Sequence, residues 1–139
     1  MNSITATAPG KCILFGEHVV VYGYPAIAAA ISLYSSCKIE PSSTTNQLDF
    51  KNYNQSFEFL SIDDLILKIP SRFKQISECL KIFNKKFNVS FNGIKITINS
   101  SLFPSSGLGS SASIAVALVA ALNTLQIKFN KRNYFRDCF

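Results

Sequence analysis

The chain has 139 residues, of which 47% are hydrophobic and 16% charged, a balance that excludes intrinsic disorder and predicts one folded soluble domain. The net charge of +6 is spread along the chain without a dense basic run, which suits a phosphate-bearing partner but lacks any nucleic-acid-binding signature. Four cysteines without a CxxC pair, and an amino terminus without an apolar signal core, predict reduced thiols, no zinc site and a cytoplasmic location.

The first third of the chain predicts short strands. Residues 3–8 form one predicted strand, which Pro9 and Gly10 break, and residues 12–15 form a second. Residues 26–33 are apolar throughout, so periodicity leaves a buried strand and a helix equally open.

The middle of the chain contains both kinds of periodicity. Residues 48–50 and 57–59 alternate apolar and polar side chains, as half-buried strands do. Apolar residues recur at spacings of three and four over residues 71–87, which predicts an amphipathic helix with Ser71 as its amino-terminal cap. Residues 94–98 alternate cleanly and predict a strand with one buried face.

A loop over residues 99–109 leads into a predicted helix over residues 110–125. Residues 112–122 are apolar almost all round, so we expect this helix to be fully buried, and the stretch is too short to span a bilayer. Strands mixed with two helices, without regular βαβ alternation, predict an α+β fold with a mixed or antiparallel sheet and packed helices.

The segment Pro104-Ser-Ser-Gly-Leu-Gly-Ser-Ser-Ala112, here called the glycine-rich loop, is the first that suggests chemistry. Gly107 and Gly109 allow backbone conformations and close approaches that a side chain forbids. A helix start offers unpaired N–H groups and a partial positive charge, which together bind phosphate. The segment is neither a Walker A nor a GxGxxG motif, and by its pattern alone a plain turn before a helix is an equal alternative.

The second such segment surrounds Lys11, Glu17 and His18. Lys11 follows a Pro-Gly break at the start of an apolar strand, and Glu17 and His18 follow that strand. By local context alone, a solvated lysine, a surface turn and a structural histidine are the plainer interpretations.

The strings APGKCILFGEHVVVYG and PSSGLGSSA resemble the first and second signature motifs of the kinase superfamily that includes galactokinase, homoserine kinase, mevalonate kinase and phosphomevalonate kinase. The Glu-His pair followed by Val-Val resembles mevalonate kinases most. The resemblance implies the amino-terminal domain of that kinase fold, which is ribosomal protein S5 domain 2-like. It also implies transfer of the ATP γ-phosphoryl group to the 5-hydroxyl of mevalonate, in isoprenoid and sterol biosynthesis.

The resemblance also implies roles for individual residues. Lys11 would neutralise charge in catalysis, Glu17 and His18 would bind the substrate, and Ser111 would reach a magnesium ion. Cofactors would be ATP and Mg²⁺, with mevalonate as partner, no nucleic acid or membrane, and a homodimer at full length. The residues implied to bind ATP are Lys11, Asn54, Ser100, Ser105, Ser106, Gly107, Leu108, Gly109, Ser110 and Ser111.

In this superfamily the catalytic aspartate and the magnesium-binding glutamate follow the second motif at a distance that this sequence does not reach. We therefore expect an incomplete ATP-binding kinase domain over residues 1–128 and a tail unlike the family over residues 129–139, in which Asp137 is not the catalytic aspartate. Three alternatives are an inactive nucleotide-binding fragment, a kinase of the same superfamily with another substrate, and a ribosomal-type RNA-binding protein. The last leaves the glycine-rich loop without a role.

Overall fold

The computed structural model describes residues 3–89 and 91–136, with residues 128–136 as backbone only. In this part of the chain, strands and α-helices are joined by short 3₁₀ turns at Val20–Tyr22, Lys51–Tyr53 and Ser71–Phe73. The elements in chain order are β1 (Ile4–Phe15), β2 (Ile27–Pro41), β3 (Asn46–Phe50), β4 (Gln55–Phe59), α1 (Ile62–Lys68), α2 (Lys74–Phe87), β5 (Ile94–Ser100) and α3 (Ser110–Arg136).

The strands form one sheet in the order β1-β2-β5-β3-β4. Neighbouring strands are antiparallel, except that β3 and β5 are parallel. Helix α3 packs on β1 and β2, α2 packs on α3, and α1 packs on β4 and α2. The predicted α+β fold with a mixed sheet and packed helices is confirmed.

Strand β1 is continuous, so the predicted break at Pro9 and Gly10 is wrong. The strand instead shifts its register against β2 at this point. Proline is tolerated because β1 is an edge strand, where a missing N–H costs little. Gly10 is needed for space, since a Cβ there would lie 2.5 Å from a methyl carbon of Leu102 and 2.9 Å from the carbonyl oxygen of Leu108. The open choice for residues 26–33 is settled as strand β2.

The core lies between the sheet and the helices. Alternate strand residues face the helices, and Cys37, Ile39, Leu48 and Ile96 are fully buried. Polar residues such as Lys38 occupy the other face, as expected for a sheet with one solvated side. Each buried Ile or Leu side chain contributes about 1.5–3 kcal/mol to folding, so this shared core holds the loops at both ends of the sheet.

Helix α2 starts later than predicted. Residues Ser71–Phe73 form a 3₁₀ turn and the α-helix begins at Lys74. The predicted cap at Ser71 is wrong, because Ser71 lies inside the 3₁₀ turn and the residue at its cap position, Pro70, has no hydroxyl to accept an N–H.

Helix α1 was not predicted, although its start has a recognisable capping pattern. The Ser61 hydroxyl accepts the N–H of Asp64 at 3.2 Å, and the Asp64 carboxylate accepts the N–H of Leu60 at 3.0 Å. The Lys68 amine donates to the same carboxylate at 2.7 Å. The Lys68 hydrogen bond and then the Leu60 N–H hold the pKa of Asp64 below its usual value.

Helix α3 is longer and less buried than predicted. It continues to Arg136 rather than ending near Leu125, and it is continuous across residue 128. Only one of its faces is buried, through residues such as Leu118 and Leu122, whereas Val116 is 59% exposed. Asp137 and Cys138 lie outside the described residues.

One window of α3, Ser110–Ile127, is long and apolar enough to cross a membrane by length and composition, with a mean hydropathy of 1.5. The expectation that the apolar stretch is too short therefore does not hold for the whole helix. A core helix of a globular domain passes the same test, and 33% of the window is buried inside the protein.

Candidate functional site

The backbone of the glycine-rich loop alternates in handedness. Ser105, Gly107 and Gly109 have φ angles of 59°, 73° and 75°, while Ser106 and Leu108 have negative values. Such alternation turns successive N–H groups toward one side and forms an anion-binding concavity, called a nest. Glycine adopts this conformation at two of the three positions without the steric cost that a side chain incurs.

The N–H groups of this loop have no partner in the described part of the protein. None of residues 105–109 donates a backbone hydrogen bond to a protein acceptor. Directly after them, α3 begins at Ser110, and the N–H of Ser113 bonds to the carbonyl of Gly109 at 2.9 Å. The loop and the helix start therefore present consecutive free donors, together with the positive end of the helix dipole.

Lys11 is fixed against the loop by two contacts. Its backbone N–H donates to the Leu108 carbonyl at 2.9 Å. Its side chain lies over Gly109, where a Cβ would come within 2.8 Å of the Lys11 Cγ atom. Lys11 forms no ion pair with any carboxylate among the described residues, so its charge is available to a bound anion.

Lys11 and the loop border a cavity of about 450 Å³, here called the loop cavity. Eight of its thirteen lining residues are among those that the resemblance implies to bind ATP. Gln75 and Cys79 come from α2 and were not predicted. The predicted residues that line it are Lys11, Ser105, Ser106, Gly107, Leu108, Gly109, Ser110 and Ser111.

A second cavity of about 390 Å³, here called the aromatic cavity, adjoins the first and shares Ser105, Ser110 and Ser111 with it. Part of its wall is aromatic, where the rings of Phe50 and Phe73 stack with centroids 3.9 Å apart. The shared residues place the aromatic rings and the donors of the glycine-rich loop on adjoining surfaces.

The Arg72 guanidinium closes another side of the aromatic cavity. Its carbon atom lies 5.1 Å from the ring centroid of Tyr53 and 4.8 Å from that of Phe73. These residues come from the two 3₁₀ turns after β3 and before α2. The sequence did not indicate them, because turns this short have no periodicity and only the fold brings them together.

Ser100 and Asn54, which the resemblance implied as nucleotide contacts, occupy different places. Ser100 lines the aromatic cavity, but its hydroxyl already bonds to the Ser35 hydroxyl at 2.8 Å. Asn54 ends a 3₁₀ turn with φ of 49° and lines a small separate groove with Asp49. The structure does not bring Asn54 to either cavity. Asn52, two residues earlier, does line the aromatic cavity.

Glu17 and His18 lie elsewhere, at the turn between β1 and β2, here called the hairpin end (residues 16–26). Both are exposed, and neither lines the loop cavity or the aromatic cavity. Gly16 closes the turn with φ of 87°, and a Cβ there would lie 2.5 Å from the Pro25 carbonyl. Within the described residues, the structure therefore does not bring Glu17 and His18 to the cavities beside the glycine-rich loop.

The loop satisfies only part of what a magnesium ion requires. Mg²⁺ binds oxygen ligands and usually takes one or two carboxylates together with substrate phosphates. Ser110 and Ser111 offer hydroxyl oxygens, but no carboxylate lines the loop cavity, and the described residues contain no cluster of metal ligands. The site thus fits a hydroxyl contribution to Mg²⁺ and no more.

Comparison with known proteins agrees with this geometry. The family model described as GHMP kinases N terminal domain matches residues 74–137. The match runs past residue 128 into the segment predicted to lie outside the family. The mevalonate kinase of Thermococcus sibiricus is 33% identical over 129 residues, covering 88% of this chain and 39% of that protein.

Solved structures show the same likeness. The crystal structure of the Methanococcus jannaschii mevalonate kinase superposes with a TM-score of 0.78 at 34% identity, over 89% of this chain and 40% of that one. That of the L. major mevalonate kinase in complex with R-mevalonate gives 0.59 at 33% identity, over 85% and 34%. The chain thus spans between 34% and 40% of the length of these relatives.

Proposed function

Because the chain carries the amino-terminal domain of the GHMP kinases, we propose that it forms the ATP-binding part of a kinase that phosphorylates mevalonate. One observation carries the proposal: consecutive unpaired N–H groups over residues 105–109 lie at the start of α3, beside the unpaired charge of Lys11. Triphosphate is the ligand that this arrangement suits best, since it brings several anionic oxygens to several donors.

The two cavities suggest how ATP lies. Its phosphates take the loop cavity, with Lys11 and the free N–H groups as donors. Its base takes the aromatic cavity, where Tyr53 offers an aromatic ring and Arg72 offers a cation. The shared wall at Ser110 and Ser111 places the phosphates next to the helix start.

Phosphoryl transfer requires little covalent help from a protein and depends on positioning and charge neutralisation. In our proposal the loop N–H groups hold the phosphate chain, and Lys11 neutralises the negative charge that shifts toward the leaving oxygens. Ser111 contributes a hydroxyl to Mg²⁺, which would neutralise phosphate charge when bound. Glu17 and His18 bind the substrate alcohol.

Mevalonate is the substrate we favour within the superfamily. The support is the Glu-His pair in the segment around residues 16–23, and the similarity to a mevalonate kinase solved with R-mevalonate. The product would be 5-phosphomevalonate, an intermediate of isoprenoid and sterol biosynthesis. A galactokinase from Lactococcus lactis also superposes, but at 20% identity it shows the fold alone.

We further propose that the 139-residue chain by itself binds Mg-ATP without turning over mevalonate. No carboxylate lines the loop cavity in the described part of the chain, so no carboxylate there accepts the proton of the attacking hydroxyl. Loss of a general base typically costs about 10²–10⁴ in rate. An inactive nucleotide-binding role is therefore the second candidate for this chain.

Calorimetry on the purified chain tests the proposal, with Mg-ATP, inorganic tripolyphosphate and adenosine as titrants. We expect binding of ATP and tripolyphosphate, and tighter binding of ATP because the base adds the aromatic cavity. Failure of both phosphate ligands to bind would refute the proposal. ADP release with mevalonate, galactose and homoserine decides the substrate. Turnover of mevalonate by the 139-residue chain would overturn the proposed inactivity alone.

The cytoplasmic location, the homodimer at full length, and the absence of membrane and nucleic-acid partners stay predictions of the sequence. The division of the chain at residue 128 has the same standing.

A further inference from the structure

A buried chain of serine hydroxyls runs beneath the glycine-rich loop. Ser35 on β2 is fully buried, and its hydroxyl lies 2.8 Å from that of Ser100 and 2.6 Å from that of Ser113. Ser100 ends β5 and Ser113 lies in the first turn of α3. Ser35 therefore joins the strand before the loop to the helix after it.

Two further hydrogen bonds anchor the ends of this chain. The N–H of Leu102 donates to the Ser100 hydroxyl at 3.1 Å, and the Ser113 hydroxyl donates to the Ser110 carbonyl at 3.0 Å. Each hydroxyl carries one proton. With Ser113 donating to Ser110, Ser35 donates to Ser113 and Ser100 donates to Ser35, an arrangement in which every hydroxyl proton of the chain has an acceptor.

The result is one directed chain from the N–H of Leu102, through Ser100, Ser35 and Ser113, to the carbonyl of Ser110. Its two ends lie on either side of the loop that holds the free N–H groups. Hydrogen bonds in a chain polarise and strengthen each other, and in a buried chain the loss of one partner leaves a costly unpaired polar group. No buried side-chain nitrogen or oxygen among the described residues lacks a partner, so a broken link leaves a new unsatisfied group.

We propose that Ser35 is a positioning residue for the phosphate site: it holds the two ends of the glycine-rich loop at the separation that turns the loop N–H groups toward one anion. The proposal rests on the proposed function, because Ser35 is proposed to position the loop that binds the phosphates. Ser35 itself lines neither cavity and acts only through Ser100 and Ser113.

The test compares Ser35→Ala with Ser36→Ala. Ser36 is the next residue of β2, and its hydroxyl makes only one long bond of 3.4 Å to the Asn99 carbonyl. The control therefore removes the same atom from the same strand without breaking the chain. With tripolyphosphate as titrant, we expect Ser35→Ala to weaken binding about tenfold, as for loss of buried hydrogen bonds, and Ser36→Ala to change it less than about twofold.

Adenosine separates positioning from general damage. It occupies only the base side, where Ser100 is the one member of the serine chain in the cavity lining, so Ser35→Ala should change its affinity by less than about twofold. Equal losses for adenosine and tripolyphosphate would overturn the proposal, as would unchanged tripolyphosphate binding. Should Ser35→Ala fail to fold, Ser113→Ala breaks the chain from the helix side and carries the same expectations. The double variant should bind tripolyphosphate no worse than either single one, because the chain is already broken; additive losses would contradict the proposal.

Amide hydrogen exchange in the ligand-free protein gives a readout that needs no nucleotide. We expect Ser35→Ala to speed exchange at Ser113, whose N–H bonds across the loop end, relative to the Ser36→Ala control. If the wild-type chain binds no phosphate ligand, the proposed function fails. Hydrogen exchange in the ligand-free protein still tests whether Ser35 holds the two ends of the glycine-rich loop. Unchanged exchange in Ser35→Ala would refute this role of Ser35.

Discussion

The glycine-rich loop packs against Gly10 and Lys11 of β1, and the hairpin end follows the same strand, but the two regions differ in how much of the chain supports them. The loop is held by the Lys11 N–H, by the close packing of Gly10 and by the serine chain beneath it. At the hairpin end, Phe15, Val21 and Tyr22 are 72%, 77% and 79% exposed. In our proposal the nucleotide side of the site is therefore the more firmly held one, whereas Glu17 and His18 on the substrate side lie on an exposed turn.

Groups of exposed aromatic and aliphatic side chains are uncommon on the surface of a folded protein and usually mark a contact with another segment or molecule. The cluster consists of Leu14, Phe15, Val19, Val20, Val21, Tyr22, Tyr24 and Ile27. This difference leads us to expect that changes at the loop alter ATP binding strongly, and that changes at the hairpin end leave it unaltered.

The largest effect should come from Gly109→Ala. The φ of 75° already disfavours a side chain, and the new Cβ would lie 2.8 Å from the Lys11 Cγ atom. We expect ATP binding to fall by about thirtyfold or more, since the loop or the lysine must move. Gly23→Ala is the matched control at the hairpin end, with φ of 84° and open space around it. A similar loss of ATP affinity in both variants, measured by calorimetry, would contradict the difference between the regions.

The next largest effect should come from Lys11→Met, which keeps the apolar stem and removes the charge. We expect ATP to bind about tenfold more weakly, and its affinity to depend less on salt, because one phosphate contact is lost. Lys38→Met is the control, since Lys38 pairs with Glu40 at 2.6 Å on the solvated face of the sheet and surface pairs contribute little. Equal salt dependence in wild type and Lys11→Met would show that Lys11 does not contact phosphate.

Substitutions at the hairpin end should change the affinity for ATP very little. We expect Glu17→Gln and His18→Ala to bind ATP within about twofold of wild type, because neither side chain lines the two cavities. A tenfold loss in either variant, measured under the same conditions, would place these residues at the nucleotide and remove the distinction between the two regions.

The prediction with the smallest effect at neutral pH concerns the free energy of unfolding and the buried Cys37 thiol in the core that both regions share. Burial raises the pKa of the Cys37 thiol from 9.0 to about 12. The folded state therefore favours the neutral thiol, and this stabilisation is complete below pH 9 and is lost as the pH rises from 9 toward 12. Near pH 10 the loss should reach about 1.4 kcal/mol. Urea unfolding of wild type and Cys37→Ala checks this: the stability difference should shrink between pH 8 and pH 10, and a constant difference would contradict the assignment.

The sequence was most informative where a local pattern and a local structure coincide. Alternation in residues 94–98 predicted β5, and the glycines of the loop predicted its positive φ angles. The sequence could not show that Pro9 and Gly10 shift a register rather than end a strand, because that depends on the neighbouring strand and on Leu102.

Two parts of the site were beyond local patterns. The aromatic cavity joins Tyr53 to Arg72, which lie in two separate 3₁₀ turns with β4 and α1 between them in the sequence. The serine chain joins Ser35 to Ser113 across 78 positions. Serines give no periodic signal, so neither contact has a counterpart in the sequence pattern.

The central claim is that the free N–H groups of the glycine-rich loop bind the phosphates of ATP. Titration of the ¹⁵N-labelled chain with Mg-ATP, followed by amide chemical shifts, tests this most directly. We predict that the largest shifts fall on the amides of residues 105–111 and saturate together, and that those of Glu17 and His18 stay in place. Saturable ATP binding with the loop amides unmoved, or with the largest shifts at the hairpin end, would contradict the claim.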